Sequence, residues 1–427
     1  MDLPTSQKLF WVYTLGILIL TVATGAQIYV DKTLEDPTGH KITAPAFVMD
    51  PSPIKMRTPL DQFTNKRKIR ELASIKPAKQ KWSFDKLNLN NHSASKSSPI
   101  VDKSGIYIGT DIGHFKKIDH KGQLLWTFFV GDSKNGIHGT AAVDQDTVYF
   151  GAHNGRFYAL NKHTGKMRWT IELGDAIGSS PLLKDNALFV TVKTFRKQRN
   201  GFLVKLNPNV GEVEWKTELF GDQSHSSVLA YEDTLIAASD NGYLFLVSQD
   251  GEILSEHQVQ GEIRGTPLLI NDLNSAPSLV VTHRRGKIQK IPILKDQDKL
   301  SLGKPQWTKE IKTTESSPVF NPIDQSIIFT DRDGIKAITL STGEQIWQKK
   351  VVNDRIQFST PRLIEHQKAI YVLGLCTQKS LCLINAENGE VQHKTNISGT
   401  LSNHISFYEN SMIIAGDHEL GLEAWTF

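Results

Sequence analysis

Cysteine is scarce in this chain, which contains two among its 427 residues. That number cannot build a zinc ribbon or a disulfide-rich scaffold. A large charge excess is also missing, because 49 lysines and arginines face 45 acidic residues, for a net charge of +4. This balance does not indicate nucleic-acid binding. Apolar runs long enough to cross a bilayer are absent except for one near the N-terminus, which excludes a multi-span membrane protein.

Long helical patterns are almost missing as well, whereas turn-forming residues are frequent, with 31 glycines and 17 prolines. Hydrophobic residues make up 39% of the chain, which excludes wholesale disorder. Short apolar runs separated by turns that carry Asp, Asn or Gly are typical of β structure. The composition therefore favours an all-β fold.

The N-terminus carries one uncharged stretch of 22 residues, 9–30, behind a short tail of residues 1–8. This length suffices for one transmembrane helix, so we expect a membrane anchor. The alternative is a signal peptide cleaved near Thr24-Gly25-Ala26, which would release the protein into the periplasm. The orientation is not decided by the flanking charges, which are Lys8, Lys32 and Lys41.

Residues 31–80 are predicted to form a proline-rich, basic linker. Within it, one face of a short helix would present Leu60, Phe63, Ile69 and Leu72, with Lys66, Arg67, Lys68 and Arg70 opposite. A solvated basic face is the simplest interpretation of these charges, and a lipid or partner site is the alternative.

An internal repeat organises residues 81–427. A Gly four positions before a Trp recurs as Gly122/Trp126, Gly165/Trp169, Gly211/Trp215, Gly303/Trp307 and Gly343/Trp347, while Gly251/Ser255 and Gly389/His393 keep only the glycine. The second landmark is a triplet of mostly small residues: Ser97-Ser98-Pro99, Gly139-Thr140-Ala141, Ser179-Ser180-Pro181, Ser226-Ser227-Val228, Gly265-Thr266-Pro267, Ser316-Ser317-Pro318, Ser359-Thr360-Pro361 and, more weakly, Ser402-Asn403-His404.

Each copy of the repeat contains four short strands, and a period of about 40 to 50 residues with four strands indicates a β-propeller blade. The last copy has only three strands, and residues 81–84 at the other end of the segment can supply the fourth. We therefore predict an eight-bladed β-propeller over residues 81–427, closed by an N-terminal strand. This closure leaves the ring without an open seam.

The repeat resembles the pyrroloquinoline-quinone (PQQ) repeat. The best copy carries Tyr158-Ala159-Leu160, Thr164-Gly165, Trp169 and Ser179-Ser180-Pro181. This family includes the quinoprotein alcohol dehydrogenases and the BamB-type lipoproteins of outer-membrane assembly, so the resemblance implies the fold but does not select a function. The dehydrogenases typically have two adjacent cysteines beside the cofactor, and this sequence has no Cys-Cys pair.

The repeat tryptophans are expected to lie on the outermost strand of each blade and to pack between blades, rather than to form a cofactor box. They are Trp82, Trp126, Trp169, Trp215, Trp307 and Trp347. The repeat glycines are expected to supply positive φ in the turns before those strands. The repeat tryptophans and glycines are therefore predicted to have structural roles.

Cys376 and Cys382 flank a predicted hairpin turn, with five residues between them. On antiparallel strands they could face each other at bonding distance, so we predict a cross-strand disulfide, which suits an oxidising compartment. Two unrelated buried thiols are the alternative.

One mouth of the axial channel is predicted to collect basic residues. The positions that precede the triplets are Lys96, His138, Gly178, His225, Arg264, Glu315, Phe358 and Leu401. Turns expected on the same face add Arg196, Lys197 and Arg199 in the third blade and Arg284 and Arg285 in the fifth. Converging positive charge would attract an acidic peptide or another anion, whereas scattered solvated charge is the alternative.

No catalytic residues and no metal site are predicted, because no spacing of Ser, His and Asp singles one out. The resemblance to BamB implies a non-enzymatic scaffold that docks envelope proteins, here on an inner-membrane anchor with the propeller in the periplasm. The BamB-type proteins are lipoproteins, and this N-terminus has no cysteine to acylate. The alternative is a quinone-dependent dehydrogenase, or a sensor of an anionic ligand, and only the dehydrogenase would require PQQ and calcium.

Overall fold

The structure is a computed structural model. It describes residues 34–35, 41–42, 69–76, 78–85, 87–89, 97–132, 134–195, 200–219, 225–272, 276–297, 299–351, 356–401 and 404–426. No helix within these ranges is long and apolar enough to span a membrane. The predicted anchor, residues 9–30, lies outside them.

Four strands precede the first complete blade: β1 (Leu34–Glu35), β2 (Lys41–Ile42), β3 (Arg70–Glu71) and β4 (Lys79–Phe84). Blades 1 to 3 follow as β5 (Ile100–Asp102), β6 (Gly105–Gly109), β7 (His114–Ile118), β8 (Leu124–Phe129); β9 (Ala142–Val143), β10 (Thr147–Gly151), β11 (Arg156–Asn161), β12 (Met167–Glu172); and β13 (Leu182–Lys184), β14 (Ala187–Thr194), β15 (Asn200–Leu206), β16 (Val213–Leu219).

Blades 4 to 6 comprise β17 (Leu229–Tyr231), β18 (Thr234–Ala238), β19 (Tyr243–Ser248), β20 (Ile253–Gln258); β21 (Leu268–Ile270), β22 (Ser278–His283), β23 (Lys287–Asp296), β24 (Lys299–Leu302), β25 (Trp307–Glu310); and β26 (Val319–Asn321), β27 (Ser326–Asp331), β28 (Gly334–Thr339), β29 (Gln345–Lys350). A 3₁₀ turn (Ile356–Phe358) leads to blade 7, with β30 (Arg362–His366), β31 (Ala369–Thr377), β32 (Ser380–Asn385) and β33 (Val391–Asn396), and to the last copy, with β34 (Ser406–Tyr408), β35 (Ser411–Ala415) and β36 (Leu422–Thr426).

Strands β4 to β36 form eight antiparallel sheets, one per repeat copy, which confirms the predicted eight-bladed β-propeller. β3 adds a parallel strand to the sheet of blade 7, and β1 pairs with β2 in a separate two-stranded sheet. The first strand of each blade is innermost and the fourth outermost. Turns between the first and second strands, and between the third and fourth, lie on one face of the ring, here called the lower face. The connections between blades and the turns between the second and third strands lie on the opposite, upper face. Buried side chains between neighbouring blades form the core.

The eighth blade is completed by β4, which pairs antiparallel with β36, the third strand of that blade. Trp82 lies opposite Ala424 in this pairing. The prediction that an N-terminal strand closes the ring is confirmed. The closing strand begins at Lys79, two residues earlier than residue 81, where the sequence placed the start of the propeller.

Each repeat tryptophan docks on the next blade. Its indole N–H donates to a backbone carbonyl in that blade's turn between the third and fourth strands, at 2.7 to 3.2 Å. The glycine of that turn has positive φ and lies directly under the ring. The docked pairs are Trp82 with Gly122, Trp126 with Gly165, Trp169 with Gly211, Trp215 with Gly251, Trp307 with Gly343, and Trp347 with Gly389. The predicted packing role is therefore observed, and it joins glycine and tryptophan across blades.

The middle residue of each triplet belongs to a belt of hydrogen bonds around the ring. Its backbone N–H donates to the hydroxyl of the middle residue in the next blade, at 2.9 to 3.3 Å. The seven bonds within the described residues join Ser98 to Thr140, Thr140 to Ser180, Ser180 to Ser227, Ser227 to Thr266, Thr266 to Ser317, Ser317 to Thr360, and His404 to Ser98. The sequence preference for small residues is therefore also a preference for a hydroxyl.

Three local expectations are wrong. His404 donates in the belt at the middle position of the eighth triplet, so this copy is shifted by one residue from the predicted Ser402-Asn403-His404. Gly303 lacks positive φ, because blade 5 replaces the tight turn with a hairpin of β23 and β24. The predicted helix fails at its described end, where Arg70 and Glu71 form a strand. Its other members, residues 60–68, lie outside the described ranges.

Candidate functional site

The predicted binding residues that the structure describes lie at the upper mouth of the axial channel. His225 and Arg264 lie in the connections that lead into blades 4 and 5, and Arg284 and Arg285 form the turn after β22. The side chains of His225, Arg264 and Arg284 come together, and Arg285 is exposed. Four predicted members, Lys96, Arg196, Lys197 and Arg199, lie outside the described residues.

Three carboxylates surround Arg264 at this mouth. Its Nε lies 4.0 Å from Asp240 Oδ2 and 3.5 Å from Glu262 Oε2, and its Nη1 lies 3.3 Å from Glu315 Oε1. On the far side, Asp240 Oδ2 lies 2.8 Å from His225 Nδ1. The network therefore spans blades 4 to 6, through residues of the connections and turns that the blade topology brings together.

Arg284 extends this network toward solvent. Its side chain is 41% exposed and pairs with Glu262 Oε2 through Nη1 and with Glu315 Oε1 through Nε, both at 3.0 Å. Burial opposes its charge, but the Glu262 hydrogen bond and the nearby charges of Glu315 and Asp240 raise the pKa of Arg284. The carboxylates therefore favour the charged form of Arg284, and the same carboxylates surround Arg264.

In blades 4 to 6, the predicted basic residues lie beside carboxylates. Asp240, Glu262 and Glu315 compensate the two arginines, so this part of the surface carries alternating charges. The physical reason is local, because the turns that supply the cations also supply the acids. Whether the predicted residues bind a ligand or a partner stays a prediction.

His138, which was predicted to lie near the mouth of the channel, is buried. It is 7% exposed, and its ring lies 4.2 Å, centroid to centroid, from that of His153. A Cβ at Gly178 would lie 3.3 Å from His153 Nε2 and 3.4 Å from His225 Cδ2. The glycine thus leaves room for imidazoles from blades 2 and 4 on the same side of the mouth.

His283, which directly precedes Arg284, is fully buried, and this burial lowers its pKa to about 4. It therefore stays neutral at the pH of most cellular compartments and adds no charge to the mouth.

Asp240 and Glu262 were missed by the sequence reasoning. Asp240 lies two residues before Gly242 in the turn after β18, and Glu262 two residues before Arg264. Counting both signs of charge in the predicted upper turns would have found them.

A quinoprotein site would require ligands for calcium. Within the described ranges, no group of three or more His, Cys, Asp or Glu side chains is arranged to hold a metal ion. The mouth carboxylates are instead engaged with Arg264 and Arg284. These residues do not fit a calcium-held quinone, and we derive no chemical step through one.

Cys376 and Cys382 form a disulfide across β31 and β32, with their Cα atoms 5.6 Å apart. Both are buried in the core around blade 7. The bond lies at the end of the hairpin near the upper face, where the pairing of the two strands is irregular after Leu375.

A family model described as "Outer membrane protein assembly factor BamB" matches residues 113–349, and one described as "EMC1 N-terminal beta-propeller domain" matches residues 298–424. The chain is 22% identical over 317 residues to the outer membrane protein assembly factor BamB of Moranella endobia, covering 70% of this chain and 76% of that protein. The matches to BamB of Legionella pneumophila and Yersinia pestis span 46% and 52% of those proteins.

Quinoproteins are also similar to this chain. The dehydrogenase subunit of the quinone alcohol dehydrogenase of Komagataeibacter europaeus is 25% identical over 37% of this chain and 23% of its own length. The crystal structure of BamB from Moraxella catarrhalis superposes with a TM-score of 0.59 at 17% identity, over 82% of this chain and 98% of that one. The quinohemoprotein alcohol dehydrogenase of Comamonas testosteroni gives 0.64 at 11%, over 85% and 78%. These likenesses establish the fold alone.

The protein is thus a PQQ-like β-propeller that resembles BamB. Because the BamB model matches more than half of the 427 residues, the chain belongs to the family of outer membrane protein assembly factor BamB.

Proposed function

We propose that this protein is a non-enzymatic scaffold of the cell envelope that docks other envelope proteins on its propeller. Membership of the BamB family, over residues 113–349, is the observation that carries the proposal. Residues 9–30 would tether it to the inner membrane, with the ring in the periplasm and without a bound cofactor. Its partners would belong to outer-membrane assembly or to another membrane complex.

The geometry supports docking at the upper mouth. A ring held by tryptophan docks and a hydroxyl belt is a rigid frame, whereas turns vary freely in sequence and can recognise a partner. The alternating charges of Arg264, Arg284 and their carboxylates offer complementarity to a polar protein surface, which favours specificity and association rate.

Replacing Arg285 by a photo-crosslinking amino acid would test this proposal, with the full chain expressed in bacteria that have an outer membrane. Ile323 is the matched control, because it is 63% exposed in the turn between β26 and β27 on the lower face. We expect crosslinks to envelope proteins from position 285 that weaken with salt. An absence of envelope proteins from both positions would reject the scaffold.

The tether has a separate test. The mass of the protein purified from membranes should correspond to the uncleaved chain, and extraction should require detergent. A mature N-terminus near Ala26 in a protein released by osmotic shock would show instead that residues 9–30 contain a signal peptide.

A quinone-dependent dehydrogenase is the second candidate, favoured by the similarity to quinoprotein alcohol dehydrogenases. Adding PQQ and Ca²⁺ to the purified protein should then produce a bound chromophore and dye-linked oxidation of an alcohol or sugar. Their absence would leave the scaffold as the better proposal.

A further inference from the structure

The interface between two neighbouring blades is here called a seam, and two seams of the ring lack a tryptophan dock. The repeat position of blade 4 is Ser255, and there the hairpin of β23 and β24 packs beside β20, with the Leu302 N–H donating to Ser255 Oγ at 3.0 Å. The repeat position of blade 7 is His393. It faces blade 8, where β36 and β4 come from opposite ends of the chain, so no turn connects them and no turn glycine is available there. Other contacts must therefore hold blades 7 and 8 together.

The segment before β4 supplies contacts to both blades of this seam. β3 pairs in parallel with β30 of blade 7, and the Leu72 N–H donates to Glu365 O at 2.8 Å. His366 Nδ1 donates to Leu72 O at 2.7 Å, and Arg70 Nη2 donates to Glu409 O in blade 8 at 2.5 Å. Residues 69–76 thus connect the two blades at their inner ends.

Apolar packing accompanies these bonds. Leu72 is 7% exposed and belongs to the core cluster that includes Leu363 of blade 7 and Met412 of blade 8. Ile69 and Ile75 pack against the same cluster. Because β30 is the innermost strand of its blade, its free edge faces the axis, and β3 on that edge occupies the channel. Glu365 and His366 lead into the lower-face turn, so the occupied part is the lower end.

We infer that residues 69–76 form a releasable clasp, which fastens the seam between blades 7 and 8 and bars the lower end of the axial channel. The clasp is separable from ring closure, because β4 pairs with β36 through bonds that do not involve it. Its two-residue strand makes few bonds, and short edge elements of this kind open locally before the rest of a domain. Release of the clasp opens the channel while the ring stays closed.

Cysteine labelling in the full chain tests the clasp, because the two native cysteines are joined in a disulfide. A reporter Leu363→Cys lies in β30 beside the clasp and is buried. Leu269→Cys occupies the corresponding position in β21, far from the clasp. Leu72→Ala loosens the clasp, and Glu71→Ala, at an exposed position, is its control.

We expect Leu72→Ala to raise the maleimide labelling rate at position 363 about 30-fold, as loss of a buried leucine's packing shifts a local opening. Glu71→Ala should leave this rate unchanged, and the rate at position 269 should not respond to Leu72→Ala. Unchanged labelling at position 363 would overturn the inference. An equal rise at both positions would also overturn it, because the segment would then only stabilise the whole ring.

Hydrogen exchange of the unaltered protein gives a second test if Leu72→Ala does not fold. The Leu72 amide should exchange at least tenfold faster than the amides that join β4 to β36, since the clasp opens without the ring. Equal protection would show that the clasp opens only on global unfolding and would refute its separate release.

Discussion

Replacing Gly165 by alanine tests whether the tryptophan docks hold the ring together. Gly165 has φ of +71°, and a Cβ there would lie 2.7 Å from Trp126 Cδ2. An ordinary contact needs about 3.4 Å, so the ring would have to retreat by about 0.7 Å and would weaken the indole bond to Lys162 O. The alanine therefore introduces backbone strain and a clash across the seam between blades 1 and 2.

Gly131 separates these two effects. Its φ is +100°, and a Cβ there meets nothing within 4 Å. Gly131→Ala should therefore cost only the conformational strain of a left-handed alanine, about 1 to 2 kcal/mol. Gly165→Ala should cost a further 1 to 3 kcal/mol or so, because overpacking adds to the strain.

Urea unfolding of both variants measures the difference, provided that the dependence on denaturant is unchanged. In a Trp126→Ala background the additional cost of Gly165→Ala should disappear, since the indole ring is no longer there to clash. Equal destabilisation by Gly131→Ala and Gly165→Ala, or a cost that persists without Trp126, would refute the docking argument.

Three further predictions concern buried polar groups. Thr140→Val removes the acceptor of the buried Ser98 N–H and should lower the free energy of unfolding by about 1 to 3 kcal/mol, whereas Thr140→Ser should be nearly neutral; equal loss in both would exclude the hydroxyl belt as the cause. Lys162→Met leaves the buried Asp102 carboxylate without the Nζ that lies 2.9 Å away, and a loss of about 3 to 5 kcal/mol in urea unfolding is expected; a neutral result would contradict a structural role for the pair. Burial raises the pKa of Glu423 above its usual 4.5, so the folded state binds this proton more tightly than the unfolded state does. The stability contributed by the protonated carboxyl therefore falls as the pH rises from 4.5 through the raised pKa. Glu423→Gln should therefore gain stability relative to the parent between acidic and neutral pH in thermal unfolding, and a constant difference across that range would argue against this titration.

The repeat can be recognised in the sequence because every blade must pack against its neighbours in the same way. Alternating apolar strands, a turn glycine and an outer tryptophan recur wherever two blades stack, so the number of blades and the closing strand with Trp82 could be predicted. The contact partners could not. Gly165 and Trp169 are four residues apart, yet Gly165 contacts Trp126 of the preceding blade.

The candidate site shows the same division. His225, Arg264 and Arg284 were placed on one face from the order of strands, and the structure brings them together. The sequence reasoning named Glu315 among the mouth positions but missed Asp240 and Glu262, which also lie beside the arginines. The order of strands also did not show that His138 is buried beside His153.

The sequence by itself determined the all-β class, the eight copies and the strand that closes them, because periodic side-chain patterns record local strands and turns. Only the tertiary structure decided what replaces the missing tryptophan docks, where the charges balance and where residues 69–76 lie. Those features depend on contacts between segments far apart in the chain: Arg70 reaches Glu409 because the ring brings its two ends to one seam.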